Sequence, residues 1–356
     1  MKQCRVFMLL AILLPIVSLS DDTEILLRKY SGKIDNNEVN FFLQIEKNTH
    51  KIQGGVVTLP KDEEMRRVST NEANGNITPA SPWWDAIELT PELELQIIHN
   101  RKITTLAPQC PAQNLCSYIY EGGLMYFPSL QMAVLPSYDH LETFVAKNYE
   151  EAKKIFKYED KNQGARHSFE TTLLFVSDNY MSFENSYFND SSGFGGTWTD
   201  RASTGALLDI KTKKIFSFEN IFKKGKDTLS RPMIPYTLYC KYSDSTINGS
   251  PIDNCSSCKK EGNTCPKEID VAKHDVYTGG IYGYFDGFYY GYHSYGSRPG
   301  INVPVNGNDD DPNAEWEYIP GNDFDEDFRI PLKELKPHLK PGWYDYLIGK
   351  GELPKF

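Results

Sequence analysis

Three groups of residues in this 356-residue chain have types and spacings that could do chemistry. The first is cysteine. Cys255 and Cys258 stand two residues apart, the gap of a zinc-ligand pair or a redox motif, with Cys240 and Cys265 close on either side. No strand–helix–strand pattern surrounds this CSSC, so a redox role lacks its scaffold. Cys110 and Cys116 flank the short loop PAQNL. In an oxidising compartment these six pair as disulfides, with fifteen connectivities open, and that is the expectation; zinc is the alternative for the later four.

The second group is acidic. In DFDEDFRIPLKE, Asp323, Asp325, Asp327 and Glu334 take positions one, three, five and twelve of an EF-hand-like loop. Position six is Phe328, where such a loop needs glycine for its sharp turn. Asp309, Asp311 and Asn313 alternate similarly in NDDDPNAEWE, but their twelfth position is Pro320. Calcium is thus an alternative to a solvated acidic loop, and no other cofactor is expected. Glu315 and Glu317 could serve an envelope glycan hydrolase if they converged in a cleft. Against catalysis, the chain has no HExxH and no G-x-S-x-G, and its seven histidines are scattered. The formal S-x-x-K at 256–259 sits among the cysteines. No catalytic or metal-ligating residue is assigned.

The third group is aromatic. GGIYGYFDGFYYGYHSYGSRPG sets Tyr282, Tyr284, Tyr289, Tyr290, Tyr292 and Tyr295 among glycines, with His293 and Arg298. Tyrosine with glycine gives amphipathic contact area on an adaptable frame, the composition of binding loops. The competing reading is an aromatic strand pair with its tyrosines at core and rim.

These groups must be carried by an exported, strand-rich chain. Lys2 and Arg5 precede VFMLLAILLPIVSL, an apolar run short for a bilayer span, and SLS offers small residues for cleavage before Asp21. Residues 1–20 therefore read as a signal peptide, which implies a secreted or periplasmic protein with no membrane attachment after cleavage. The net charge is −10, and loss of Lys2 and Arg5 makes it more negative. That excludes nucleic acid and anionic membrane as natural partners and suits a basic one.

Residues 21–82 read as a β meander with turns at DNN and KNTH, followed by a polar linker from residue 61. VNFFLQIEK half alternates, as a strand covered on one face would. From residue 83 more strands follow, then one amphipathic helix at 139–160. Leu141, Phe144, Val145, Ala152, Ile155 and Phe156 form its stripe, and Asp139 with Glu142 its capping pair. Strands then resume. The expected class is α+β: antiparallel sheets with one main amphipathic helix packed on a sheet, preceded by the small meander.

The segment NYMSFENSYFNDSSGFGGTWTDRASTGALLDIKTKKIFSFENIF, at 179–222, adds a resemblance. Its double-glycine turn Gly195-Gly196, its Asp209, Thr212 and Lys214, and its Glu219, Ile221 and Phe222 resemble the extracytoplasmic domain of the lysozyme-sensing anti-sigma factor RsiV and its relatives. The likeness covers roughly residues 118–339 and no cytoplasmic sigma-binding part. Where the family usually has Ala-His after the glycines, this chain has Thr197-Trp198. The resemblance implies an RsiV-like α+β domain over 83–356 and binding of a lysozyme-type protein or another cell-envelope ligand. It places Tyr290, Tyr292 and Tyr295 in the ligand-contacting region, with Trp198 as a further candidate. Read by their own chemistry, the glycines are turn architecture: no Lys or Ser/Thr follows at phosphate-loop spacing.

Overall fold

The computed structural model describes residues 23–59, 84–121, 123–136, 143–155, 166–193, 196–224, 280–285, 287–295, 301–304, 316–319 and 324–355. It also describes shorter segments at 64–67, 69–70, 77–78, 233–235, 237–238, 241, 246–247, 250–251 and 267–270. The expected signal peptide lies outside the described residues, and so do Cys240, Cys255, Cys258 and Cys265.

β1 (Thr23–Ile34) and β2 (Asn37–Glu46) form a hairpin closed by Asp35 and Asn36, at φ 46° and 67°. Two successive left-handed residues make the tight turn whose twist matches the flanking strands, and Asp and Asn tolerate that conformation better than other side chains. β3 (Ile52–Leu59) and β4 (Glu64–Arg67) extend the meander. So part of the expected linker is strand. On the other edge β1 pairs with β8 (Ser117–Glu121), which leads to β9 (Leu124–Phe127), β10 (Met132–Pro136) and β11 (Thr143–Ala146). The result is one antiparallel sheet of eight strands, ordered β11-β10-β9-β8-β1-β2-β3-β4. It runs across the boundary expected at residue 82.

Between β4 and β8 in the chain, β5 (Ala86–Leu89), β6 (Leu95–His99) and β7 (Lys102–Leu106) make a small sheet of their own. This sheet covers one face of the meander. Leu26, Tyr30, Phe41, Leu43 and Ile45 pack there with Trp84, Ile87, Leu95 and Ile97, while Ile25, Leu27, Phe42 and Val56 point into the larger core. The FFLQI of β2 is therefore continuous and apolar because both faces of the strand are covered, not one as its partial alternation suggested.

The second sheet is ordered β12 (Arg166–Val176), β13 (Tyr180–Gly193), β14 (Gly196–Asp209) and β15 (Ile215–Phe216). α2 (Phe218–Ile221) follows directly, with Ser217 and Asn220 in a capping box. A third sheet, β16 (Gly280–Phe285), β17 (Phe288–Tyr295) and β18 (Phe324–Pro331), leads into α3 (Leu332–Leu335) and α4 (Trp343–Leu347). The largest cluster of buried side chains joins all three sheets: Phe42 meets Phe175 with ring centres 5.4 Å apart, and Tyr180 meets Tyr284 at 6.4 Å. The fold is α+β with antiparallel sheets, as expected.

The helix departs from expectation. Among the described residues it is α1, Tyr149–Ile155, and the Thr143–Ala146 portion of the expected helix is strand β11, paired with β10. Thr143, Phe144 and Val145 are β-branched or aromatic and favour the pleated surface, although their spacing also fits a helical stripe. Asn148, not Asp139, caps the helix, accepting from the Glu151 N–H at 2.8 Å, while Glu151 reaches back to the Lys147 N–H at 2.8 Å. α1 still lies on the sheet edge: Ala152 is fully buried beside Leu124, Ala133 and Ala146, and Tyr126 and Tyr149 stack at 5.2 Å.

Candidate functional site

The tyrosine-rich segment is a strand pair. β16 and β17 turn at Gly287, whose φ of 91° favours glycine, and Tyr284 stands opposite Tyr289. Both are fully buried, with rings 5.6 Å apart and Phe218 and Phe222 beside Tyr289. The Tyr284 N–H donates to Ser182 Oγ at 3.0 Å, which ties the third sheet to the second. Burial pushes the Tyr284 hydroxyl well above its ordinary range. These two tyrosines are core.

Alternation sorts the others. Residues 290 and 292 fall on the strand face opposite Tyr289, because side chains alternate along β17. Their partners on β18 are Arg329 and Asp327, and Asp325 lies opposite Ser294 in the same phase. One face of β17 and β18 therefore carries positions Tyr290, Tyr292, Asp325, Asp327 and Arg329. Tyr295 belongs to the other phase, with His293, Phe324 and Glu326. The three tyrosines that the resemblance groups are split two and one. Trp198 is elsewhere, on β14 opposite Ser191, two pairs from the Gly193–Gly196 closure of its hairpin. The expected glycine turn is that closure; Gly195 lies outside the described residues.

The EF-hand spacing does not build a loop. Asp325 and Asp327 lie on extended β18, and Glu334 lies in α3 with its Oε1 3.1 Å from Lys241 Nζ. The third and fifth positions of the expected loop thus lie on an extended strand, where an ion-wrapping loop would need a turn. Among the described residues no group of three His, Cys, Asp or Glu side chains could hold a metal ion. Glu317 lies on the short strand Trp316–Ile319, and Glu315, Asp309, Asp311, Asn313 and Asp323 lie outside the described residues.

The Asp-x-x-Thr-x-Lys element is the turn between β14 and β15. Asp209 Oδ1 accepts from the Thr212 N–H and hydroxyl, each at 2.6 Å, and the Asp209 N–H donates to the Lys214 carbonyl at 2.9 Å. Asp209 Oδ2 accepts from the Tyr346 hydroxyl at 2.7 Å. The carboxylate is thus buried, 3% exposed, with both oxygens engaged. Burial first, and then the bond to Asp209, raises the Tyr346 hydroxyl far above an ordinary tyrosine. This turn forms one wall of a cleft of about 990 Å³, and the chain from Gly351 to Lys355 forms another.

Sequence reasoning passed over this cleft. Its signal was GWYDYL near the end of the chain, where Trp343, Tyr346 and Leu347 are buried at the three- and four-residue spacing of one helix face. That helix brings the closing segment against the turn.

The expected bridge between Cys110 and Cys116 is formed, with Cα atoms 4.8 Å apart. No helix among the described residues is long and apolar enough to cross a membrane. No protein-family profile matches the chain, and no curated protein or solved structure shows significant similarity to it.

Proposed function

We propose that this chain is an exported bacterial binding protein that recognises a lysozyme-type protein, or another basic cell-envelope ligand, through an RsiV-like domain. The observation that supports this reading is the β17–β18 register, which sets Tyr290 and Tyr292 on one sheet face beside Asp325 and Asp327. Tyrosine supplies contact area at low entropic cost, and flanking carboxylates complement a basic surface. An acidic chain also speeds encounter with a basic protein, an effect that salt weakens. Trp198 on β14 and Tyr295 in the other phase of β17 are secondary contacts in this reading.

Titration calorimetry against a c-type lysozyme, at low and physiological salt, tests it. The wild type is expected to bind saturably. The Tyr290→Ala/Tyr292→Ala variant is expected to lose roughly tenfold or more in affinity, as truncated hot-spot aromatics do, and Tyr295→Ala much less. Absence of saturable binding, or equal binding by the double variant, defeats the reading.

A further inference from the structure

Three lysines on and around the β14–β15 turn are committed to the fold. Lys213 Nζ donates to the Leu130 carbonyl at 2.6 Å, Lys223 Nζ to the Pro337 carbonyl at 2.7 Å, and Lys340 Nζ to the Glu219 carbonyl at 2.6 Å. Lys211, Lys214 and Lys355 have no such bond among the described residues, and all three line the 990 Å³ cleft. In a chain of net charge −10, three ammonium groups without such a bond around one opening are a local concentration of cations.

Asp209 forms no ion pair with them: its two oxygens accept from Thr212 and Tyr346. Asp178 and Glu352 also line the cleft, so with Asp209 its carboxylates equal its lysines in number. Recognition must then come from direct contact with the ammonium groups, not from a long-range field. The amides add donors. Asn220 spends its Oδ1 on the Ser217 N–H at 3.0 Å and keeps its amide N–H groups available, and Asn179 also lines the space. The lining also includes aliphatic side chains: Ile215, Leu353 and Pro354 are half-buried.

Lysines and amide donors set among aliphatic side chains in one cleft complement an amphiphilic anion. Lysine meets carboxylate or phosphate as a point charge, and an alkyl body gains by covering apolar surface. The volume is at the upper end of what small-ligand sites offer, roughly 300–1,000 Å³. The turn is already fixed by its own hydrogen bonds, so little ordering cost falls on binding. We propose that this cleft binds an organic anion with an aliphatic body, its carboxylate or phosphate head held by Lys211, Lys214 and Lys355.

Calorimetry on the full chain with octanoate, octyl phosphate, octyl glucoside and acetate tests the site. At least one of the two anionic amphiphiles is expected to bind saturably, at least tenfold more tightly than octyl glucoside or acetate; the stronger of the two identifies the head group. Lys211→Met/Lys214→Met is expected to weaken that binding at least tenfold, and Lys355→Met less. These side chains are exposed, and an unchanged circular dichroism spectrum confirms that the variants fold. Equal binding of octyl glucoside, equal binding by the double variant, or no saturable binding of either anion overturns the proposal. Lysozyme binding by the same variants is expected to be unchanged, so the two readings fail separately.

Discussion

At Asp209 a single carboxylate organises three parts of the chain. One oxygen closes the turn through Thr212, and the other receives the Tyr346 hydroxyl from α4, which also lies 3.1 Å from the Asn179 carbonyl before β13. Tyr346→Phe keeps the ring but leaves Asp209 Oδ2 without its donor. The expected cost is about 1–3 kcal/mol, the penalty for stranding a buried acceptor, measured by urea denaturation. The same hydroxyl sets an alkaline limit. Its pKa is raised in the folded protein above the ordinary value of 10.0, so the folded state holds a proton that the unfolded chain gives up. This contribution is fully present below pH 10.0 and falls as pH climbs above it. Tyr30 and Tyr284, both raised by burial, act in the same direction. Stability of the wild type is therefore expected to decline above pH 10.0, and less steeply in Tyr346→Phe. A parallel decline in both proteins would show that the Tyr346 proton is not involved.

Among the elements, the Cys110–Cys116 loop shows what short-range sequence can specify. Two cysteines around PAQNL can pair with each other only in a small ring, and the ring forms, helped by Asn114 at φ 62° and a bridge between Ala112 and Leu115. It clasps β1: the Leu27 N–H and Arg28 Nη1 both donate to the Cys116 carbonyl, at 2.8 and 2.9 Å. The bridge restricts the unfolded chain over a short loop, so Cys110→Ser/Cys116→Ser is expected to cost about 2 kcal/mol in chemical denaturation. A change below a few tenths would place the clasp's stability in its hydrogen bonds alone. The DNN turn was legible for the same local reason. The 139–160 helix was not, because Thr143, Phe144 and Val145 fit both a helical stripe and a strand, and a long-range partner, β10, decides between them. The Tyr290 and Tyr292 face was half legible: composition marked the segment, but only the register against β18 separates them from Tyr295. The Asp209 cleft was invisible as a site because its walls come from distant parts of the chain.

The molecule as a whole departs from two independent halves. Phe42 of the eight-stranded sheet packs edge-on against Phe175 of the second sheet, and Gln44 Nε2 donates to the Leu173 carbonyl at 2.7 Å while its Oε1 accepts from the Tyr118 hydroxyl at 2.9 Å. β8, after the expected boundary, depends on β1 for its ladder. The first sheet can therefore not melt without exposing Leu173, Phe175 and Phe183 of the second, and the Tyr180, Tyr284 and Tyr346 rings beyond them. The expected consequence is one cooperative transition. Phe42→Ala, which empties the seam between the sheets, is expected to cost about 3–5 kcal/mol. It should lower the midpoint equally by far-UV circular dichroism, which reports the strands everywhere, and by tryptophan fluorescence, to which the buried Trp343 of α4 contributes. Two separated transitions in the wild type, or a shift seen by only one probe in the variant, would mean that the sheets fold as separate units despite sharing this core.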